Sequence, residues 1–260
     1  MKGCFLFVPA VEKMIQKIEK SEADAIILDL EDSIPDAEKE NALSLCEEFL
    51  SKRGNCKKIY VRLNEGRIQQ EMRTLSKYDF CGYMIPKIEN DKILQDCQEF
   101  LERKEVIGLV ETAKGMVNIE EIVASDYVSA VAFGAEDYTC SINMENDFAL
   151  LIPVRSRMIM YAKAYKKPVI DSPSFNYTDM EMLEREVEQI VSMGFDGKLA
   201  IHPKQVETIK QGFRTHDADV IREIIDKFDE QGGGVLLYKN KVYEKPHIKR
   251  FKKILENMDE

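Results

Sequence analysis

Eight short apolar runs, each followed by a segment of helical periodicity, constrain this chain more than any other feature. The runs occupy residues 5–9, 25–30, 59–63, 83–86, 106–110, 130–133, 168–170 and 199–201, and their starts lie 20 to 38 residues apart. They lack polar–apolar alternation, the pattern expected of parallel strands buried on both faces. Between them, Val11, Met14, Ile15 and Ile18 follow i, i+3, i+4, i+7 spacing. Ala42, Leu45, Cys46 and Phe49 do so again, and Val154, Met158, Tyr161 and Ala162 keep one face. Thr178 with Glu181 three residues on reads as a capping box opening the helix of Leu183, Val187, Ile190 and Val191. Strict βα alternation over eight strands predicts an α/β fold of the TIM (β/α)₈ barrel type, which typically needs about 250 residues; the chain has 260. An open doubly wound sheet is the competing arrangement, and no G-x-G-x-x-G supports it.

The rhythm changes near the C-terminus. One long helix is expected from about 204 to 230, then the break Gly232-Gly233-Gly234. A hairpin follows, with strands at 235–238 and 242–243 around a turn at Lys239-Asn240. Pro246 opens a last basic helix with Ile248, Phe251 and Ile254 on its apolar side. The expected division is a barrel over 1–230 and a hairpin–helix extension over 231–260. So short an extension cannot bury a core of its own, so it is expected to dock on the barrel or on a neighbouring subunit.

Charge and cysteine usage exclude several classes of function. Lys and Arg number 37 against 47 Asp and Glu, a net charge of −10, which gives no basis for broad binding to nucleic acid or anionic lipid. No apolar run approaches the roughly 18 residues that span a bilayer. The apolar stretch 4–10 reads as a first strand rather than a signal peptide. Six cysteines without a C-x-x-C pair, and three histidines, argue against zinc and disulfide frameworks; buried free thiols in a cytoplasmic protein are expected.

The polar residues fall just beyond the apolar runs, where a TIM barrel builds its site. Run two ends in Asp29-Leu30-Glu31-Asp32 and run three carries Arg62 and Asn64. Run four ends in Lys87, run five in Glu111, and run six leads through Gly134-Ala135 to Glu136 and Asp137. Runs seven and eight end in Asp171 and His202. Several carboxylates with Arg and Lys, but few His, suit a hard cation such as Mg²⁺, which takes one or two carboxylates and keeps waters. An arginine at the same mouth grips a carboxylate bidentately. Together they describe a clamp for a 2-oxo acid, in which the metal also stabilises the negative oxygen formed when an adjacent C–C bond breaks. His202, with no sequence partner, reads as a hydrogen-bonded strand-end residue, and Lys39 as a lysine on an exposed helix face.

The ordered motifs are Phe-Leu-Phe-Val-Pro (5–9), Leu-Asp-Leu-Glu-Asp-Ser (28–33) with Lys39, Val-Arg-Leu-Asn (61–64), Pro-Lys (86–87), Glu-Thr-Ala-Lys-Gly (111–115), Phe-Gly-Ala-Glu-Asp-Tyr (133–138) and Gly-Phe-Asp-Gly-Lys-Leu-Ala-Ile-His-Pro-Lys-Gln (194–205). As a set, the chain resembles the citrate lyase β-subunit family of the HpcH/HpaI aldolase superfamily, with its malyl-CoA and citramalyl-CoA lyases. The resemblance implies a trimeric Mg²⁺-dependent enzyme that cleaves or forms β-hydroxyacyl thioesters, with Glu111 and Asp137 as metal ligands. It implies that Arg62 and the backbone of Gly134, Ala135 and Glu136 hold the oxo-acid carboxylate. Asp29, Glu31 and Asp32 would line the metal's water shell, Lys39 would sit near the CoA end, and Glu244 would act as an acid–base group over a neighbouring subunit's site. The chain departs from the family pattern at Gly3 and Cys4 (Arg-Ser elsewhere), at Leu43 (Arg) and at Glu244 (Asp). Two alternatives stay open: the same pocket would suit a CoA-independent aldolase on free 2-oxo acids, and the departures at Gly3, Cys4 and Leu43 suit a non-catalytic relative that binds metal and oxo acid.

Overall fold

The computed structural model describes residues 1–52, 57–214 and 218–256. Its first compact unit, Met1–Gly212, is built on β1 (Gly3–Pro9), β2 (Ala25–Asp29), β3 (Lys58–Arg62), β4 (Gly82–Ile85), β5 (Glu105–Val110), β6 (Ala130–Phe133), β7 (Val169–Asp171) and β8 (Gly197–Ala200). They form a closed barrel in sequence order, every pair parallel, with β8 returning to β1 through Gly3↔Gly197 and Leu6↔Ala200. The eight expected strands are present, and the open sheet is excluded.

Why the runs look continuously apolar is visible in their parity. Successive strand residues point to opposite faces, so alternate residues fill the barrel while the others pack beneath the helices. The interior cluster takes Phe5, Ala25 and Ile27, Tyr60, Met84, Ile107 and Leu109, Ala130 and Ala132, Ile170 and Leu199. The intervening Ile26, Leu28, Val61, Val106 and Val131 are equally buried on the outer face.

The crossovers correct two details. The helix after β7 is Met180–Met193, and its N-cap is Asp179, whose Oδ1 accepts the Met182 N–H at 2.9 Å. Thr178 instead donates its hydroxyl to Asn176 Oδ1. The same helix ends at Gly194, whose φ of +105° supplies the left-handed C-cap. The single helix expected over 204–230 is two helices, Gln205–Arg214 and Ala218–Glu230.

The second of these helices belongs to the second compact unit, Phe213–Glu260. This unit has an apolar cluster of its own, in which Ile221, Ile224, Ile225 and Phe228 pack with Leu236 of β9 (Val235–Tyr238) and Ile248 of the helix Lys245–Glu256. Recruiting helix Ala218–Glu230 is what gives the tail a core that the residues beyond 230 could not build. β9 pairs antiparallel with β10 (Lys241–Glu244), and Lys239 and Asn240 turn between them at φ +47° and +61°, as a tight hairpin requires. The cysteines are less uniform than expected: Cys4, Cys46 and Cys97 are buried, Cys81 is half-buried and Cys140 is exposed. Cys56 lies outside the described residues. No described helix is long and apolar enough to cross a membrane.

Candidate active site

The parity that fills the barrel also selects the site. Continuing the inward series by two residues beyond Ala25 and Ile27 gives Asp29. Beyond Tyr60 it gives Arg62, beyond Ile107 and Leu109 it gives Glu111, and beyond Ala130 and Ala132 it gives Gly134. All four line one cavity of about 320 Å³, together with Asp32, Ala135, Glu136 and Asp137. Phe7, Leu109, Leu199 and Ile201 supply apolar lining, and Pro173 and Phe175 of the loop after β7 also line it.

Arg62 is the organiser of one wall. Its Nε and Nη2 donate to the two oxygens of Asp29 at 2.6 and 2.7 Å, and Nη1 donates to Asp32 at 2.8 Å. Glu31 lies 3.2 Å from Nη1, and the guanidinium stacks 4.9 Å from the centroid of Phe7. Burial would raise the Asp29 carboxyl, but the Arg62 hydrogen bonds and charge override it and hold Asp29 below the usual carboxylate range. Asp29 also accepts the N–H groups of Glu31 and Ser33, so it fixes the loop after β2 as well as the arginine. Glu31 gets weaker compensation: burial, opposed in part by Arg62, pushes its carboxyl up to about 7. It is absent from the described cavity lining and backs Arg62 instead.

Lys39 is not the exposed lysine the sequence suggests. It is 8% exposed, and its ammonium donates to the backbone oxygens of Leu30 and Glu31 at 3.0 and 2.6 Å. It therefore braces the 29–32 loop from below rather than waiting for a ligand.

Glu111 lines the same cavity. It is 2% exposed, and its Oε1 accepts the backbone N–H of Lys87 at 2.8 Å, a bond that Lys87 offers from the left-handed region at φ +45°. Only glycine fits opposite: a Cβ on Gly134 would stand 2.5 Å from Glu111 Oε2. Burial, reinforced by the charges of Asp137 and Glu31, pushes the Glu111 carboxyl up to about 8. Asp137 and Glu136 are exposed at the start of helix Ala135–Ser141; Glu136 accepts from Asn146 at 2.7 Å. The Gly134 N–H is committed to Val110 O at 3.1 Å, so it is not free for a substrate carboxylate. First-turn N–H groups have no acceptor within their helix, which leaves those of Ala135 and Glu136 for that role.

These residues fit a hard cation. Two carboxylates on adjacent βα connections face one cavity, and one of them is desolvated and raised by the other's charge, an arrangement that a divalent ion relieves. Among the described residues there is no group of three or more His, Cys, Asp or Glu side chains placed to hold a metal. A closed cage is thus not what the chain offers; an open site completed by water and substrate oxygens is.

Asp171 and His202 do not join the site. Ile170 points into the barrel, so Asp171 points out. It is fully buried between Arg155 Nε at 2.7 Å and Lys198 Nζ at 3.0 Å. His202 stacks on Tyr177 with centroids 4.5 Å apart, and its Nδ1 accepts the Lys204 N–H. Asn64 donates its backbone and side-chain N–H groups to Glu71. Glu244 is exposed at the end of β10 in the second unit.

The sequence reading passed over the apolar lining of Phe7, Leu109, Leu199 and Ile201, and the loop residues Pro173 and Phe175. Strand parity could have found the apolar lining. Nothing in the sequence marks Phe175.

Comparison with known proteins shows what this chain is similar to. The citrate lyase β subunit of Leuconostoc mesenteroides subsp. cremoris is 25% identical, with 98% of this chain and 93% of that protein covered. The (3S)-malyl-CoA thioesterase of Cereibacter sphaeroides is 30% identical over 94% of this chain and 90% of its own length. The solved structure of the citrate lyase β subunit from M. tuberculosis complexed with oxaloacetate and magnesium superposes with a TM-score of 0.72 at 27% identity, covering 82% of this chain and 97% of that one. The profile of the HpcH/HpaI aldolase/citrate lyase family matches residues 4–203, and the chain belongs to that family.

Proposed function

We propose that this protein is a Mg²⁺-dependent carbon–carbon lyase that cleaves a β-hydroxyacyl-CoA of the citryl, malyl or citramalyl type into a 2-oxo acid and an acyl-CoA. The observation that carries this reading is the meeting of Glu111, Asp137 and Arg62 in one cavity at the C-terminal mouth of the barrel. Family membership and the magnesium in a solved relative support it.

Glu111 and Asp137 would hold the metal, which supplies Lewis-acid stabilisation of the keto oxygen as the bond breaks. Arg62 would hold the oxo-acid carboxylate. Its bonds to Asp29 and Asp32 set the plane of the guanidinium, and engaging a substrate requires it to exchange at least the exposed Asp32 contact. The first-turn N–H groups of Ala135 and Glu136 would add to that carboxylate's binding. Glu111, held by the Lys87 N–H and walled by Gly134, is kept from turning away. Glu244 of another copy in a homotrimer would take the β-hydroxyl proton and return it after cleavage.

The test is to supply malyl-, citramalyl- and citryl-CoA with Mg²⁺ or with EDTA, following oxo acid and free thiol separately. The expected result is oxo-acid release without free thiol, abolished by EDTA. Because one relative is named a thioesterase, free thiol without oxo acid would replace the lyase reading with thioester hydrolysis. Cleavage of free 4-hydroxy-2-oxo acids alone would favour the CoA-independent aldolase.

A further inference from the structure

Pro173 and Phe175 line the cavity from the loop 172–177 that follows β7. Among the described lining residues, Asp32, Ser33, Glu136, Asp137 and Phe175 are the exposed ones, and of these Phe175 is the apolar one. Its ring is 53% exposed and so stands where the cavity opens to solvent.

The loop is tied down on both sides of this ring. Ser172 O accepts Lys198 Nζ at 2.7 Å, and Ser172 Oγ accepts Arg155 Nη2 at 3.1 Å. Ser174 O accepts Gln205 Nε2 at 2.7 Å. Tyr177 stacks on His202, and its N–H returns to Phe175 O at 3.1 Å. Gln205 opens the helix Gln205–Arg214 and is fully buried. Its Oε1 accepts the N–H groups of Ile201 and His202 at 2.9 and 3.1 Å, which closes the turn after β8. An ionised carboxylate could close that turn, but only a group that also donates can reach Ser174 O; the amide does both. The Nε2 bond is the one that leaves the turn, and it ends on the neighbour of Phe175.

Resting on the lyase reading for what occupies the cavity, we propose that Gln205 is a positioning residue for Phe175. With the Tyr177–His202 stack as the second tether, it holds the loop as a fixed lip, and the ring of Phe175 packs on the apolar part of the thioester arm. A CoA thioester is larger than a cavity of about 320 Å³, so its arm crosses the exposed rim, where Phe175 supplies the apolar surface. Such a contact is the same in ground and transition states, so it lowers KM and leaves kcat to the polar residues.

Two measurements on the full-length protein decide this. The first is steady-state kinetics with Mg²⁺ on whichever thioester of the panel above is cleaved. Phe175→Ala and Gln205→Met are each expected to raise KM about tenfold, the scale of losing roughly 55 Å² of apolar contact, with kcat within about twofold. The double variant should be no worse than Phe175→Ala, because Gln205 acts through that ring. A loss confined to kcat, or KM effects that multiply in the double variant, overturns the proposal and leaves the lyase reading intact. The second measurement needs no turnover. The chain has no tryptophan, so Phe175→Trp places a single fluorophore on the loop. Its steady-state anisotropy is expected to fall by about half when Gln205→Met is added. Tyr177→Ala, which alters an exposed side chain, takes the place of Gln205→Met if the latter is not folded by circular dichroism. An unchanged anisotropy overturns the proposal even when no thioester is cleaved and the lyase reading has fallen.

Discussion

At the scale of single residues, the site depends on how each carboxylate is compensated. Asp29 has Arg62 and stays ionised, whereas Glu111 has one backbone N–H and two nearby acids, and its carboxyl rises to about 8. A raised carboxyl pKa means that the folded protein binds a proton more tightly than the unfolded chain does. Without metal, Glu111 therefore disfavours folding progressively as pH rises from about 4.5 through about 8. A bound cation replaces that proton. The stabilisation by Mg²⁺, read as the rise in Tm on adding it, should grow between pH 6 and pH 8 by this reasoning, and Glu111→Gln should flatten the dependence. A Tm increment that stays constant with pH in the wild type would contradict the assignment. That Arg62, Glu111 and Asp137 come to one cavity was legible in the sequence because charges at or just beyond otherwise apolar strand ends are conspicuous. Lys39 was misjudged because a lysine in an amphipathic helix is normally solvated. Its burial depends on two carbonyls of a loop whose shape no local pattern reveals.

At the scale of elements, parity separates site from scaffold. The eight strands were readable from their apolar runs, but the polar residue beyond a run faces the mouth only if it continues the inward series. Asp29, Arg62 and Glu111 do so. Asp171 follows inward-facing Ile170 and turns into the layer between strands and helices, where Arg155 and Lys198 enclose it. Burial alone would raise its carboxyl, yet these two cations hold it below the ordinary value. Its contribution to stability is present above the ordinary carboxylate range and is lost as pH falls through the lower folded value. Asp171→Asn takes the buried carboxylate from Arg155 and leaves Lys198 with Glu186 alone at 3.4 Å, and should cost about 3–5 kcal/mol in urea unfolding at pH 7. It should also disturb the 172–175 loop, because Lys198 donates to Ser172 O and Arg155 to Ser172 Oγ. A loss below about 1 kcal/mol would show that the network is not holding β7 and β8. A second regularity repeats around the opposite end of the barrel. Lys57, Lys104 and Lys167 precede β3, β5 and β7, and each donates to a backbone oxygen in the segment before the neighbouring strand, β2, β4 and β6 in turn.

At the scale of the whole molecule, the chain consists of a barrel that carries the cavity and a second unit that carries Glu244. If the acid–base group comes from another copy, Glu244→Gln and Glu111→Ala chains should each be nearly inactive. Refolded together, they should recover about a quarter of the wild-type rate through sites pairing an intact barrel with an intact tail. Lack of recovery, with mixed oligomers demonstrated, would rule out a shared site. The barrel could be inferred from the sequence because its repeat is written eight times. The tail's own core could not, because its main helix reads as a continuation of the barrel's last one.

The most direct test of the account is Mg²⁺ binding by calorimetry to the wild type and to Glu111→Ala, alongside oxo-acid release by both from a malyl- or citramalyl-type thioester. The account predicts that the wild type binds Mg²⁺ and that Glu111→Ala, still folded by circular dichroism, loses both binding and turnover. Wild-type Mg²⁺ affinity retained in Glu111→Ala would contradict it.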